Sequence, residues 1–127
     1  KAQVILPRLK SDFIKTCNAI VDGTLEGRKI EWDNNAAVCV MLTSKGYPGS
    51  YQTDLPIEIG DIDSDVLLFH SGTARNESGE LVTAGGRVIG VTALAPTIEE
   101  AREKAYRNAE KINFEGKQYR TDIGLNL

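Results

Sequence analysis

Apolar positions recur along this chain in two rhythms. After the polar pair Ser11-Asp12, the residues Phe13, Cys17, Ile20 and Val21 return at three- and four-residue intervals, and Gly23 follows them. That spacing predicts a helix over about residues 11 to 22, capped by the polar pair and stopped by the glycine. The segment APTIEEAREKAYRNAEKI has the same rhythm: Ile98, Ala101, Ala105, Ala109 and Ile112 share a face, and Thr97 with Glu100 has the spacing of a capping box. A face made mostly of alanine implies a helix axis lying close to what it covers, most simply one face of a small sheet.

Elsewhere the pattern is that of strands. IEWDNNAAVCVML, Ile30 to Leu42, ends in a β-branched apolar run, predicting a strand buried on both faces and closed by the loop SKGYPGSYQ, Ser44 to Gln52. DVLLFHSG and GELVTAGGRVIGVTA are predicted strands, with a polar reversal at Asn76 to Gly79 between them. Strands covered by a helix make an α+β fold, here a small sandwich-like and mostly antiparallel sheet. No internal repeat, heptad or low-complexity tract interrupts it.

With 127 residues, 41% of them hydrophobic and 26% charged, the chain suits one modest core. Fifteen basic residues against eighteen acidic ones give a net charge of −3, and the basic ones form no stripe, so no nucleic-acid partner is expected. The longest apolar run, Ala36 to Leu42, is far too short to span a bilayer, and the first residues lack a signal pattern. A cytoplasmic protein with no membrane partner is therefore expected. Cys17 and Cys39 stand among apolar neighbours and predict buried free thiols. The sequon Asn76-Glu77-Ser78 has no secretory context and is read as chance.

Several motifs invite chemistry and fall short of it. AGGRVIG, Ala84 to Gly90, lacks the dinucleotide-loop spacing and leads into a strand; Gly116-Lys117 is followed by Gln118, so no phosphate-binding loop is formed. Asp61, Asp63 and Asp65 alternate as in a calcium loop, but Val66 and Gly72 stand where the turning glycine and closing glutamate belong, which leaves a solvated acidic connector and no metal site. His70, the sole histidine, is either a strand-end residue or an acid-base group, and no serine has a nucleophile-elbow motif around it. No catalytic residue is assigned. Arg8 and Lys10 precede the first predicted helix, where they form either a surface pair or a seat for phosphate or carboxylate. In the loop, Gly46 and Gly49 permit unusual backbone, Pro48 stiffens it, and Tyr47 and Tyr51 offer hydroxyls beside apolar surface. A tight structural turn and a ligand-facing element both fit that loop.

Taken in order, LPRLKSD, GYPGSY, FHSGT, TAGGRVIGVTA and YRTDIG resemble the C-terminal part of the glycinamide ribonucleotide synthetase (phosphoribosylamine-glycine ligase) family over essentially the whole chain. The resemblance implies a part of an ATP-grasp ligase of de novo purine biosynthesis, which joins glycine to 5-phosphoribosylamine through glycyl phosphate while ATP becomes ADP and phosphate. ATP and Mg2+ would be bound mainly by upstream N-terminal and ATP-grasp domains of the same polypeptide, so this segment alone would not turn over. Of the family signature Gly-Asp-Pro-Glu-x-Gln only Gln3 is present, and Lys1 stands in the glutamate position. By the same resemblance, residues 1–26 are the tail of the ATP-grasp domain and 27–127 the small C-terminal domain. The resemblance makes the Gly46–Tyr47–Pro48–Gly49 loop ligand- or domain-facing. It also makes Arg8, Lys10 and Arg87 cations for the ribose phosphate or glycine carboxylate, with Gly85 and Gly86 allowing close backbone approach. A non-catalytic binding module reusing the fold is the alternative.

Overall fold

A computed structural model describes residues 1–125; Asn126 and Leu127, the last two positions of the expected second unit, lie outside the described residues. The elements are α1 (Ala2–Ile5), a 3-10 turn (Leu6–Arg8), α2 (Phe13–Val21), β1 (Ala36–Thr43), β2 (Glu58–Ile59), β3 (Leu67–His70), β4 (Thr73–Arg75), β5 (Leu81–Thr83), β6 (Arg87–Ala95), α3 (Ile98–Ala109) and β7 (Ile112–Asn113). β6 is central, paired antiparallel with β1 on one side and β3 on the other. Two short antiparallel pairs, β2 with β7 and β4 with β5, complete an α+β domain.

Helix α3 forms as its sequence demands. The Thr97 hydroxyl accepts the Glu100 amide at 3.2 Å, and acidic Glu99 and Glu100 occupy the positive first turn. Ala101, Ala105 and Ala109 are fully buried against β1 and β6, so the small face does bring the axis close to the sheet. Ile112, expected on the helix, is instead the buried start of β7. Beneath the helix lie Val38, Val40 and Leu42 of β1 with Val88, Ile89, Val91 and Ala93 of β6.

Strand β1 departs from the expectation of burial on both faces. Val38, Val40 and Leu42 are buried, whereas Cys39, Met41 and Thr43 between them are only half-buried. The difference arises because α3 covers one face while only the four-residue α1 lies near the other. The cysteines follow from this: Cys17 and Cys39 are free but half-buried rather than interior. The strand begins at Ala36, and Ile30 to Asn35 contribute a single bridge, Trp32 with Leu9.

Helix α2 is capped by Asp12, whose carboxylate accepts the Lys15 amide at 2.8 Å, while Ser11 accepts the Glu31 amide instead. Its apolar face finds nothing to cover. Ala19 is the only buried residue of α2, and Ile14 and Val21 are 65% and 85% exposed. The Asn76–Gly79 reversal joins β4 to β5 as predicted, with both ends of the Asn76 carboxamide held by Glu80.

The acidic connector is not solvated throughout. Asp63 accepts from Asn108 at 3.0 Å, Arg107 at 2.9 Å and Lys111 at 3.3 Å, and Asp65 pairs with Lys104, so the connector is fastened to the C-terminal half of α3. The Asn108 side chain, with Arg107 and Lys111, holds the Asp63 carboxyl well below the ordinary aspartate range.

Candidate functional site

Three glycine-bearing motifs that lie far apart in sequence meet at one end of β6. Ser44 is almost fully buried; its hydroxyl donates to the Gly85 carbonyl at 2.9 Å and its amide to the Gly86 carbonyl at 2.8 Å. The GYPGSY loop is thereby docked onto the AGGR turn. The Ser71 and Gly72 amides both donate to the Val88 carbonyl, and Ala84 donates back to Gly72 at 2.8 Å, which brings FHSG to the same place.

Inside the loop, the Tyr47 amide donates to Ser44 and the Gly49 amide to Gly46 at 2.7 Å, and the Tyr47–Pro48 peptide is cis. Gly46 has φ +94°, and a Cβ there would fall 2.2 Å from the Ser50 carbonyl oxygen, so only glycine fits. The Tyr47 ring lies against Gly86: a Cβ on Gly86 would come within 2.0 Å of its Cδ2. Gly85 packs on Gly72 in the same way. The space that these two glycines leave is therefore filled by protein, which is a structural reason for them that close approach of a ligand does not require.

Two hollows flank Tyr47. The smaller, about 380 Å³, is lined by Gln3, Met41, Tyr47, Ser71, Gly85, Gly86 and Arg87. The larger, about 750 Å³, runs from Cys39, Met41 and Thr43 of β1 to the segment Lys117–Thr121 and Ile123. Met41, Tyr47 and Arg87 belong to both. The far wall is tied to α3: Arg102 donates to the carbonyls of Ile123 and Thr121, and the Tyr106 hydroxyl donates to Arg120 and accepts from the Ile123 amide. A bridge between Thr43 and Gln118 fixes that wall to β1 at one point.

The cations around these hollows differ in availability. Lys117 donates to the Ala109 and Ile112 carbonyls at 3.2 and 2.6 Å, closing the C-terminal end of α3, and its partial burial lowers the pKa of its amine. Arg120 makes a two-point pair with Asp122. Arg87 is exposed and makes neither an ion pair nor a side-chain hydrogen bond among the described residues. It is the cation left over for an anionic ligand. Burial pushes the Cys39 thiol up, so this wall of the larger hollow stays neutral.

The other expected cations stand elsewhere. Arg8 ends the 3-10 turn rather than opening α2; it donates to the Asp33 carbonyl at 3.2 Å and lines a separate hollow with Asn34 and Asn35. Lys10 borders a fourth with Lys29 and Trp32. Neither shares a hollow with Arg87. Gly46 borders a further hollow with Tyr51, and Pro48 and Gly49 line none of those described here. His70 ends β3, exposed, with its Nδ1 3.0 Å from the Thr73 hydroxyl. The sequence marks Tyr119 to Ile123 only as part of the YRTDIG motif, Lys117 and Gln118 only as a failed phosphate loop and Gln3 only as a remnant of a signature; it gives no role to Met41 or to the Ser44 hydroxyl.

The family described as phosphoribosylglycinamide synthetase, C domain, matches residues 37–126. The chain belongs to this family. Over 123 residues, 97% of this chain, it is 46% identical to a protein of Caldanaerobacter subterraneus subsp. tengcongensis named phosphoribosylamine–glycine ligase, and over 125 residues 44% identical to one of the same name from Rhizobium meliloti. The crystal structure of phosphoribosylamine–glycine ligase from Thermotoga maritima superimposes with a TM-score of 0.69 at 40% identity, covering 84% of this chain and 26% of that one. The chain spans 29% of the length of the two curated relatives. Family membership thus bears out the resemblance carried by the five motifs, and with it the α+β domain.

Among the described residues no three His, Cys, Asp or Glu side chains gather as a metal site. No helix among the described residues is long and apolar enough to cross a membrane.

Proposed function

We propose that this chain is the C-terminal domain of a cytoplasmic phosphoribosylamine–glycine ligase, an ATP-dependent enzyme of de novo purine biosynthesis that forms glycinamide ribonucleotide from 5-phosphoribosylamine and glycine. In this reading residues 1–26 are the end of the ATP-grasp domain, 27–127 are the C-terminal domain, and the preceding domains hold ATP and Mg2+. That pair, when bound, supplies the phosphoryl transfer that turns an oxygen of the glycine carboxylate into a leaving group. This chain's contribution is one wall of the cleft. Arg87 holds the ribose phosphate, the Gln3–Ser71–Gly85 hollow accepts the sugar, and the docked Tyr47 loop keeps water from one side.

The observation that carries this reading is the apolar surface of residues 5–32. Ile5, Leu6, Phe13, Ile14, Ile20 and Val21 are all exposed, and they fall outside the stretch that the family matches. A surface of that kind belongs against another domain, and the curated relatives are long enough to supply one. The 127-residue chain alone is expected to show no ligase activity, and the full-length gene product to show it. In that full-length protein, Arg87→Met should raise KM for 5-phosphoribosylamine roughly tenfold or more, by loss of a charge-assisted hydrogen bond, and leave KM for ATP unchanged. Equal effects on both substrates would remove Arg87 from the phosphate site. A full-length product without ligase activity would favour the binding-module alternative.

A further inference from the structure

The larger hollow has a chemistry that neither glycine nor a ribosylamine phosphate uses. It is lined by Tyr47 and Tyr119, the Met41 thioether, the Cys39 thiol and Ile123, and by no carboxylate. Of its three cations, Lys117 is spent on the carbonyls at the end of α3 and Arg120 on Asp122, which leaves Arg87 alone. Gln118 and Thr121 stand on the rim with polar side chains that make no side-chain hydrogen bond among the described residues. A volume of about 750 Å³ falls within the range of ordinary small-molecule sites. Two aromatic rings and a thioether suit a flat ring; one free guanidinium suits one anionic group; the amide and hydroxyl suit ring heteroatoms.

We infer that the larger hollow binds a flat heteroaromatic ring carrying a single phosphate, of the mononucleotide class, with the ring between β1 and Tyr119 and the phosphate on Arg87. Because Arg87 and Tyr47 also line the smaller hollow, such a ligand and a sugar phosphate exclude one another. That exclusion rests on the sugar-phosphate reading given above; binding in the larger hollow does not.

The test is a titration of the isotope-labelled 127-residue chain with adenosine 5′-monophosphate, adenosine and ribose 5-phosphate, read by amide shifts. The monophosphate should move Met41, Tyr119, Thr121 and Ile123 and bind roughly fivefold or more tighter than ribose 5-phosphate, since base stacking on aromatic side chains is worth at least about that factor. Adenosine should move the same residues more weakly. Thr121→Trp, an exposed rim position, should fill the hollow and abolish the monophosphate's advantage without altering ribose 5-phosphate binding. Equal affinity for the two phosphates, or shifts confined to Ser71, Gly85 and Gly86, would overturn the inference. Ribose 5-phosphate that fails to move Ser71 and Gly85 would count against the sugar-phosphate reading alone, since the monophosphate arm reads the larger hollow separately.

Discussion

Replacing Gly86 by alanine tests the docking of the loop most directly. The new methyl would come within 2.0 Å of Tyr47 Cδ2 and 2.7 Å of Cε2, distances no packed carbon tolerates. The backbone of Gly86 is not in the left-handed region, so the conflict is with the ring alone. Tyr47 is 38% exposed and can yield by swinging outward. Doing so surrenders the covered three-fifths of its surface, of the order of 100 Å² for a tyrosine, or about 2.5 kcal/mol at roughly 25 cal/mol/Å². A ring that shifts without leaving costs about 1 kcal/mol, the lower end for overpacking. Gly86→Ala is thus expected to destabilise by about 1–3 kcal/mol in urea unfolding. The decisive arm is the same change in a Tyr47→Ala background. With the ring gone the clash vanishes, and alanine should be neutral or stabilising by about 0.5 kcal/mol through the unfolded chain. An equal cost in both backgrounds, or no cost in the native one, would refute the contact as described.

Asn108 is fully buried, donates to Asp63 and to the Lys104 carbonyl, and accepts the Asp63 amide at 2.9 Å. Asn108→Leu should cost about 2–4 kcal/mol by orphaning these partners, seen as a lower urea midpoint with an unchanged slope. The depressed pKa of Asp63 has a defined pH signature. Its stabilising contribution is complete above the unfolded value of 3.8 and declines as the pH falls below it. Urea midpoints measured from pH 6 down to pH 2 should therefore fall less steeply in Asp63→Asn than in the native chain, and parallel curves would contradict the assignment.

The parts legible in the sequence were those fixed by local rules. Thr97 and the alanine face specified α3 down to its cap, Asp12 specified the start of α2, and the Asn76–Gly79 reversal specified a hairpin. What stayed hidden depended on contacts distant in sequence. Nothing in the spelling of Ser44 says that its hydroxyl meets Gly85, and an asparagine at position 108 gives no sign of being the buried partner of Asp63. The strand period of β1 was misjudged because an unbroken apolar run looks the same whether a long helix or a one-turn helix covers its second face. The family resemblance groups Arg8 and Lys10 with Arg87, while the fold sends them to separate hollows. Family motifs gave the identity of the domain more firmly than any one of its residues gave a role.

The two walls of the larger hollow have different owners. One is a strand of the sheet; the other is strapped by Arg102 and Tyr106 to a helix whose fully buried apolar residues toward that sheet are alanines. The two walls meet directly at the Thr43–Gln118 bridge, so a displacement of the helix would open or narrow the hollow about that point.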